Sequence, residues 1–202
     1  MARTPKTIED RREQILDAAM RAFARKGFTR ATNKDIAQEA GITPGLIYHY
    51  FENKEAVLKA MIEERSPARL VRALSQESRA LPPETFLRLL TQQALQRVEG
   101  DDFVQILRVM LPEAIHNEAV SPLIANVLGE VVSSLSSYLA ACMERGELRQ
   151  ADSMLVAQMF IGSVMAFVLR RHVLRDPLAL QYSQQQIVDI VVTTMLNGLL
   201  PC

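Results

Sequence analysis

Tyr48, His49, Tyr50 and Phe51 follow one another two residues beyond Thr43-Pro44-Gly45, in a chain with only four tyrosines, seven phenylalanines and no tryptophan in 202 residues. Tyrosine hydroxyls and the imidazole donate hydrogen bonds to phosphate oxygens and base edges, and they are poor choices for a plain solvated face. The chemistry this cluster suggests is contact with nucleic acid. The competing reading makes Tyr48 and Tyr50 half-buried packing residues. Glu113 and His116 stand three apart, the spacing of a carboxylate–imidazole pair in a di-iron bundle, but such a site needs the pair twice and two further carboxylates. The sequence holds one copy. His49, His116 and His172 are far apart, and Cys142 and Cys202 form neither a zinc spacing nor a disulfide framework. There is no glycine-rich phosphate loop, nucleophile elbow or HExxH motif. No catalytic residue, metal or cofactor is therefore assigned.

The rings need elements that present them. Ile8, Arg12, Ile15, Ala19 and Phe23 step by three and four, with Leu16, Met20 and Ala22 beside them, which predicts an amphipathic helix ending near Gly27. Thr32-Asn33 offers an N-cap to NKDIAQEA, and Gly41 offers its left-handed stop. Pro44 opens another short helix, PGLIYHYF, at the favoured first-turn position. Helix, glycine-containing turn and short helix make a helix-turn-helix pattern. Ile36, Ala37, Ala40, Ile42, Ile47 and Phe51 are expected inward, with Ala37 at the crossing of the two helices. Leu46, Tyr48, His49 and Tyr50 are left on outer faces. Asn53 caps a fourth helix.

The rest reads as long helices broken by LPPE, EGDD, ERGELRQAD and LRDPLAL: Asn53–Leu81, Pro83–Glu99, Asp101–His116, Ser121–Arg145, Ala151–Arg171 and Gln184–Leu199. Helix-interior Pro112 is expected to kink or break the third of these. IVDIVVTTML carries β-branched residues, yet Val188, Val191, Val192, Met195 and Leu199 keep helical spacing and no partner strand is in view. The fold class is all-α. Met154–Leu169 and Ile187–Leu200 are apolar nearly all round, but each falls short of the ~20 residues a bilayer requires. They read as wrapped helices of a soluble protein with no membrane partner, their second face covered by another copy of the chain.

A chain of this length should bury roughly 70% of its unfolded surface, so a core needs no staples. Apolar residues are 49% and charged residues 23% of the chain, an ordinary soluble composition. Polar Met1 to Arg12 does not read as a signal peptide, and the expected compartment is the reducing cytoplasm. Net charge is zero but unevenly distributed. Residues 1–34 hold nine Lys and Arg against four Asp and Glu, a surplus of five. No lysine follows Lys59, and residues 66–202 carry 11 Arg against 13 acidic groups, a deficit of two. A basic head on a near-neutral body suggests that one end meets phosphate.

At this point TNKDIAQEAGITPGLIYHYFENKEAVLKAMIE resembles the DNA-binding segment of the TetR/AcrR family of transcriptional regulators. The match in order and spacing runs from Ile15 to Leu58 through Thr32, Ile36-Ala37, Ala40-Gly41-Ile42-Thr43, Gly45, Ile47-Tyr48, Tyr50-Phe51 and Lys54. The remainder matches in layout only. The resemblance implies a DNA-binding domain over residues 1–53 and a helical ligand-binding and dimerisation domain over 54–202, whose last two helices build a homodimeric four-helix bundle. It implies that Thr32 and Lys34 meet phosphates, that Thr43 caps the recognition helix and reaches DNA beside Pro44, and that Gly45 lets the backbone approach. Tyr48, Tyr50 and Lys54 would bind phosphates, and Leu46 and His49 would face bases. Leu46 departs from the small or polar residue commoner there; it can touch a thymine methyl but cannot hydrogen-bond a base.

The function expected is a ligand-responsive regulator, in the repressor sense, that binds double-stranded DNA at a palindromic operator and is released by a lipophilic small molecule. Methionines and scattered aromatics of the C-terminal region make an adaptable pocket lining. The candidates are Phe86, Leu90, Phe103, Leu107, Met110, Glu113, His116, Tyr138, Cys142, Phe160 and Phe167, with Glu113 receiving a cationic group or pairing with an arginine such as Arg108. A solvated Glu113 is the simpler alternative. The rival functions are a helical metal enzyme and a protein-interaction module with no DNA role.

Overall fold

The structure is a computed structural model that describes residues 7–65, 80–99, 101–118 and 120–198, with the side chains of Arg65, Glu99, Asp101, Asp102 and Phe103 outside that description. The described residues form helices and turns without a strand, so the all-α reading stands and the β-branched run near the C-terminus is helical. The chain divides into two compact units, Met1–Ser66 with Gln105–Ala125, and Pro67–Val104 with Asn126–Cys202.

In the first unit, α1 (Ile8–Lys26) starts at a capping box in which the Thr7 hydroxyl accepts from the Asp10 amide and the Asp10 carboxylate accepts from the Thr7 amide. Its stripe of Ile15, Leu16, Ala19 and Phe23 is buried, and Phe23 meets Phe28 edge-on at 5.2 Å between centroids. Truncating either ring to alanine would cost roughly 3–5 kcal/mol. Ile8, the first residue of that stripe, is exposed. The next helix, α2 (Asn33–Ala40), repeats the box with Thr32 and Asp35 and stops at Gly41, φ 64° and ψ 37°, a conformation that favours glycine. Pro44 then opens α3 (Pro44–Tyr50). Asn53 caps α4 (Lys54–Arg65), its side-chain oxygen accepting from the Ala56 amide at 2.7 Å. The expected continuation of this helix to Leu81 lies largely outside the described residues.

Charged ties hold α1 to its neighbours. Glu39 of α2 takes both Arg21 and Arg25; Lys26 reaches Asp35 at 2.7 Å; Arg12 donates to Glu64 of α4 and lies 4.6 Å from the Phe51 ring centroid. The basic head is thus partly engaged inside the protein. The Lys26 ammonium, and then the Thr32 hydroxyl and amide, hold the Asp35 carboxyl down to about 2, and Arg21 and Arg25 hold Glu39 below its ordinary value.

Helix α5 (Pro83–Glu99) belongs to the second unit, and the unit boundary falls within α6 (Asp101–His116). The helix continues through Pro112, which supplies no N–H to the preceding turn. α7 (Ser121–Glu144) ends one residue before the expected Arg145. Its Tyr138 stacks on Phe86 at 3.8 Å and donates its hydroxyl to the Leu81 carbonyl at 2.7 Å. α8 (Ser153–Val168) begins at Ser153 because Asp152 accepts from the Met154 and Leu155 amides.

α8 runs on through a π-helical turn, Leu169–Val173. The LRDPLAL break contains a short helix, α9 (Pro177–Leu180), capped by Asp176 and held by Arg171, which donates to the Ala179 and Tyr182 carbonyls. α10 (Gln184–Asn197) packs on α5 and α8. The π turn extends the apolar run of α8 to Ser153–Val173, which, like Ser121–Glu144, is long and apolar enough to cross a membrane by length and composition. Only 22% of the most apolar window of Ser153–Val173 is buried within the chain.

Candidate nucleic-acid interface

Two buried anchors set the direction of α3. Ile47 and Phe51 face the core with Ile36 and Ala37 of α2, and the Ile42 amide donates to the Ala37 carbonyl at 3.0 Å, closing the turn. With that face fixed, the other side of a seven-residue helix must point outward. Thr43, Pro44, Gly45 and His49 are exposed, and Tyr48 is 59% exposed, so the packing reading fails for Tyr48. Leu46 and Tyr50 are half-buried, and Tyr50 meets the His49 ring edge-on at 5.3 Å. Thr43 occupies the N-cap position of α3, yet its hydroxyl caps no amide. Lys34, on the first turn of α2, is exposed.

Two expected phosphate contacts are engaged elsewhere. The Thr32 hydroxyl accepts from the Asp35 amide and donates to the Asp35 carboxylate at 2.9 Å. The Lys54 ammonium donates to the carbonyls of Phe28 at 2.7 Å, Ala31 at 3.0 Å and Thr29 at 3.1 Å, which occupies all three of its hydrogens. It also lies 4.4 Å from the Phe28 ring centroid. Sequence spacing cannot reveal this, because the carbonyls belong to a loop more than twenty residues upstream.

Glu113 is half-buried and hydrogen-bonded to the loop after α1. Its carboxylate accepts from the Thr29 hydroxyl at 2.9 Å and the Thr29 amide at 3.3 Å, across 84 positions of sequence. Burial pushes this carboxyl up, but the hydrogen bonds from Thr29, Asn117 and the Phe28 amide outweigh it, and the net displacement is downward.

The other expected pocket residues are divided between the two units. In the first unit, Met110 is buried, Leu107 is half-buried and His116 is exposed. In the second, Phe86, Leu90, Tyr138 and Cys142 are packed into the core. Burial pushes the Tyr138 hydroxyl and the Cys142 thiol up. Phe160 and Phe167 line a different feature, a groove of about 450 Å3 between α8 and α10, together with Val156, Met159, Ile190 and Met195. Along it Met159 is 72% and Ile190 58% exposed. The Phe103 side chain lies outside the described ones. Among the described residues no group of three His, Cys, Asp or Glu is placed to hold a metal ion.

Residues 15–61 match the model of bacterial regulatory proteins of the tetR family, and residues 85–198 match that of the AefR-like transcriptional repressor C-terminal domain. The HTH-type transcriptional regulator TtgR of Pseudomonas putida is 37% identical over 92 residues, 45% of this chain and 44% of that protein, so the match spans less than half of that relative. The fatty acid metabolism regulator protein of Bacillus subtilis (strain 168) is 26% identical over 152 residues, covering 75% of this chain and 78% of that one. The fatty acid degradation regulator FadR from Bacillus halodurans superposes with a TM-score of 0.75 at 27% identity, covering 96% of this chain and 98% of that one.

Proposed function

The chain belongs to the tetR family of bacterial regulatory proteins, and from that premise we propose that it is a cytoplasmic, homodimeric transcriptional repressor that binds a palindromic operator and is released by a lipophilic small molecule. The observation that carries the reading is the outward face of α3: Thr43, Pro44, Gly45, Tyr48 and His49 are exposed over a helix anchored by buried Ile47 and Phe51. Such a helix enters a major groove with its hydrogen-bonding side chains leading. Tyr48 and Thr43 donate to phosphates, Lys34 adds charge beside them, and His49 with the outer part of Leu46 meets base edges. Residues 1–53 supply the reader and 54–202 the rest of the regulator, although the last turn of α6 packs back onto the reader through Glu113.

Two readers on one DNA face must stand about 34–36 Å apart or a multiple of it, which demands a second copy. The uncovered apolar face of α8 and α10 supports that copy. Exposed Met159 and Ile190 line one groove together with exposed Ser163 and Thr194. A surface so interspersed with polar groups suits a protein seam better than lipid. The effector is assigned to the lipophilic class because the relatives that cover most of this chain are named for fatty acid metabolism and degradation, and because the second unit is rich in methionine and aliphatic side chains. It acts through different affinities for the DNA-competent and incompetent shapes.

Selection of duplexes from a random pool tests the reading. A palindromic consensus is expected, with affinity that falls steeply as salt rises. A chain that recovers no consensus, or that binds iron stoichiometrically, contradicts it. Long-chain fatty acids and their coenzyme A thioesters, added to the selected duplex, should release the protein.

A further inference from the structure

We propose that Glu113 is a positioning residue for operator recognition, acting through Thr29 to fix the loop that launches α2; the proposal rests on the DNA-binding reading above. The loop is Gly27 to Ala31, between the end of α1 and the Thr32 cap of α2. It is gripped on two sides. Lys54 takes the carbonyls of Phe28, Thr29 and Ala31. Glu113 takes the remaining polar groups of Thr29, its amide and its hydroxyl, and the Asn117 amide group donates to the same hydroxyl at 3.4 Å.

Gly27 makes room for this grip. Its φ is 75°, and a Cβ built on it would lie 3.3 Å from a Glu113 carboxylate oxygen. A side chain at this position would therefore be strained and would also press on that carboxylate. Thr29 itself is exposed, so the bonds add little to the core. Their effect is geometric: they fix the residue three places before the cap of the helix against which α3 is packed. A reader with its loop held presents Tyr48 and His49 in one arrangement, and a reader with a loose loop samples several. Orientation errors weaken base-edge contacts, which need alignment, more than phosphate contacts, which tolerate it.

The test compares Glu113→Ala, Thr29→Val and the double variant with the unmodified full chain. Each is titrated with the duplex that the unmodified chain selects and with a scrambled duplex of equal length. The preference for the selected duplex should fall about tenfold in each single variant, the size expected for losing a hydrogen bond to a charged acceptor, and no further in the double variant. Affinity for the scrambled duplex should stay the same. Partial unfolding would instead lower affinity for both duplexes equally. Should Glu113→Ala fold poorly, Glu113→Gln, which keeps the shape and one acceptor, should retain more of the preference than Thr29→Val with Glu113→Gln combined. Full preference in the single variants, or losses that simply add in the double variant, overturns the proposal while leaving the regulator reading intact. An unmodified chain that prefers no duplex overturns both.

Discussion

Lys54 holds Phe28 by its backbone and by its ring: the ammonium lies 2.7 Å from the Phe28 carbonyl oxygen and 4.4 Å from the centre of the phenyl ring. The ring is buried against Phe23, so one lysine at the start of α4 ties the loop after α1 to the core of the reader. A charged donor that satisfies three carbonyls in a tight loop replaces the secondary-structure partners those carbonyls lack.

Lys54→Met should therefore lower stability. A loss of roughly 1.5–3 kcal/mol is expected for removing hydrogen bonds from a charged group, read as a shift in the urea midpoint at constant slope. Operator affinity should keep its dependence on salt. If the slope of log affinity against log salt instead flattens by about one unit with stability unchanged, Lys54 contacts a phosphate and the loop does not need it.

Tyr48 presents the opposite case. It is largely exposed, and its removal should change stability by no more than about 0.5 kcal/mol. Tyr48→Phe removes only the hydroxyl and should weaken operator binding roughly tenfold across the two half-sites of a dimer. Native circular dichroism with unchanged affinity would remove Tyr48 from the interface.

What the sequence made legible was local. Capping at Thr32 and Asn53, the stop at Gly41 and the opening at Pro44 depend on neighbours within a few residues, and each is present in the structure. The outward direction of Tyr48 followed from helical spacing against Ile47 and Phe51. Glu113 and Lys54 were opaque for one reason: both reach loop atoms 23 to 84 positions away, and no periodicity encodes such a contact. Apolar side chains at Phe86, Tyr138 and Cys142 are buried, and they carry the same sequence signature whether they line a cavity or fill a core. The π turn Leu169–Val173 begins inside the helix read as Ala151–Arg171, and helix α9 lies inside LRDPLAL, which reads as a plain break.

Acid should loosen the reader. Asp35 is held down to about 2 from an ordinary 3.8, and Glu39 and Glu113 are displaced in the same direction. A folded-state value below the unfolded one means that the folded protein binds fewer protons in that window. The contribution is complete above the unfolded value and is lost as pH falls through the folded one. Asp35→Asn should thus be less stable than the unmodified chain by a constant margin above about pH 5, a margin that shrinks toward zero by about pH 2. A margin independent of pH down to that point would show that the Lys26–Asp35 bridge contributes through its shape and not its charge.

Assembly can be separated from folding by the choice of position. Val168 and Val191 are buried within the single chain, so a charge at either would damage the fold whether or not a partner exists. Met159 and Ile190 are exposed on the groove between α8 and α10, and a charge there costs little unless a second copy covers it. Met159→Asp and Ile190→Asp should each bury an unpaired charge in a dimer, at a cost of several kcal/mol per interface. Sedimentation at micromolar concentration should show the unmodified chain as a dimer and both variants as folded monomers, with helical circular dichroism intact. Operator affinity should collapse with the dimer, because one half-site supplies only half of the contacts. An unmodified chain that sediments as a monomer, or variants that remain dimeric, would move the seam away from α8 and α10 and leave their apolar faces to another partner.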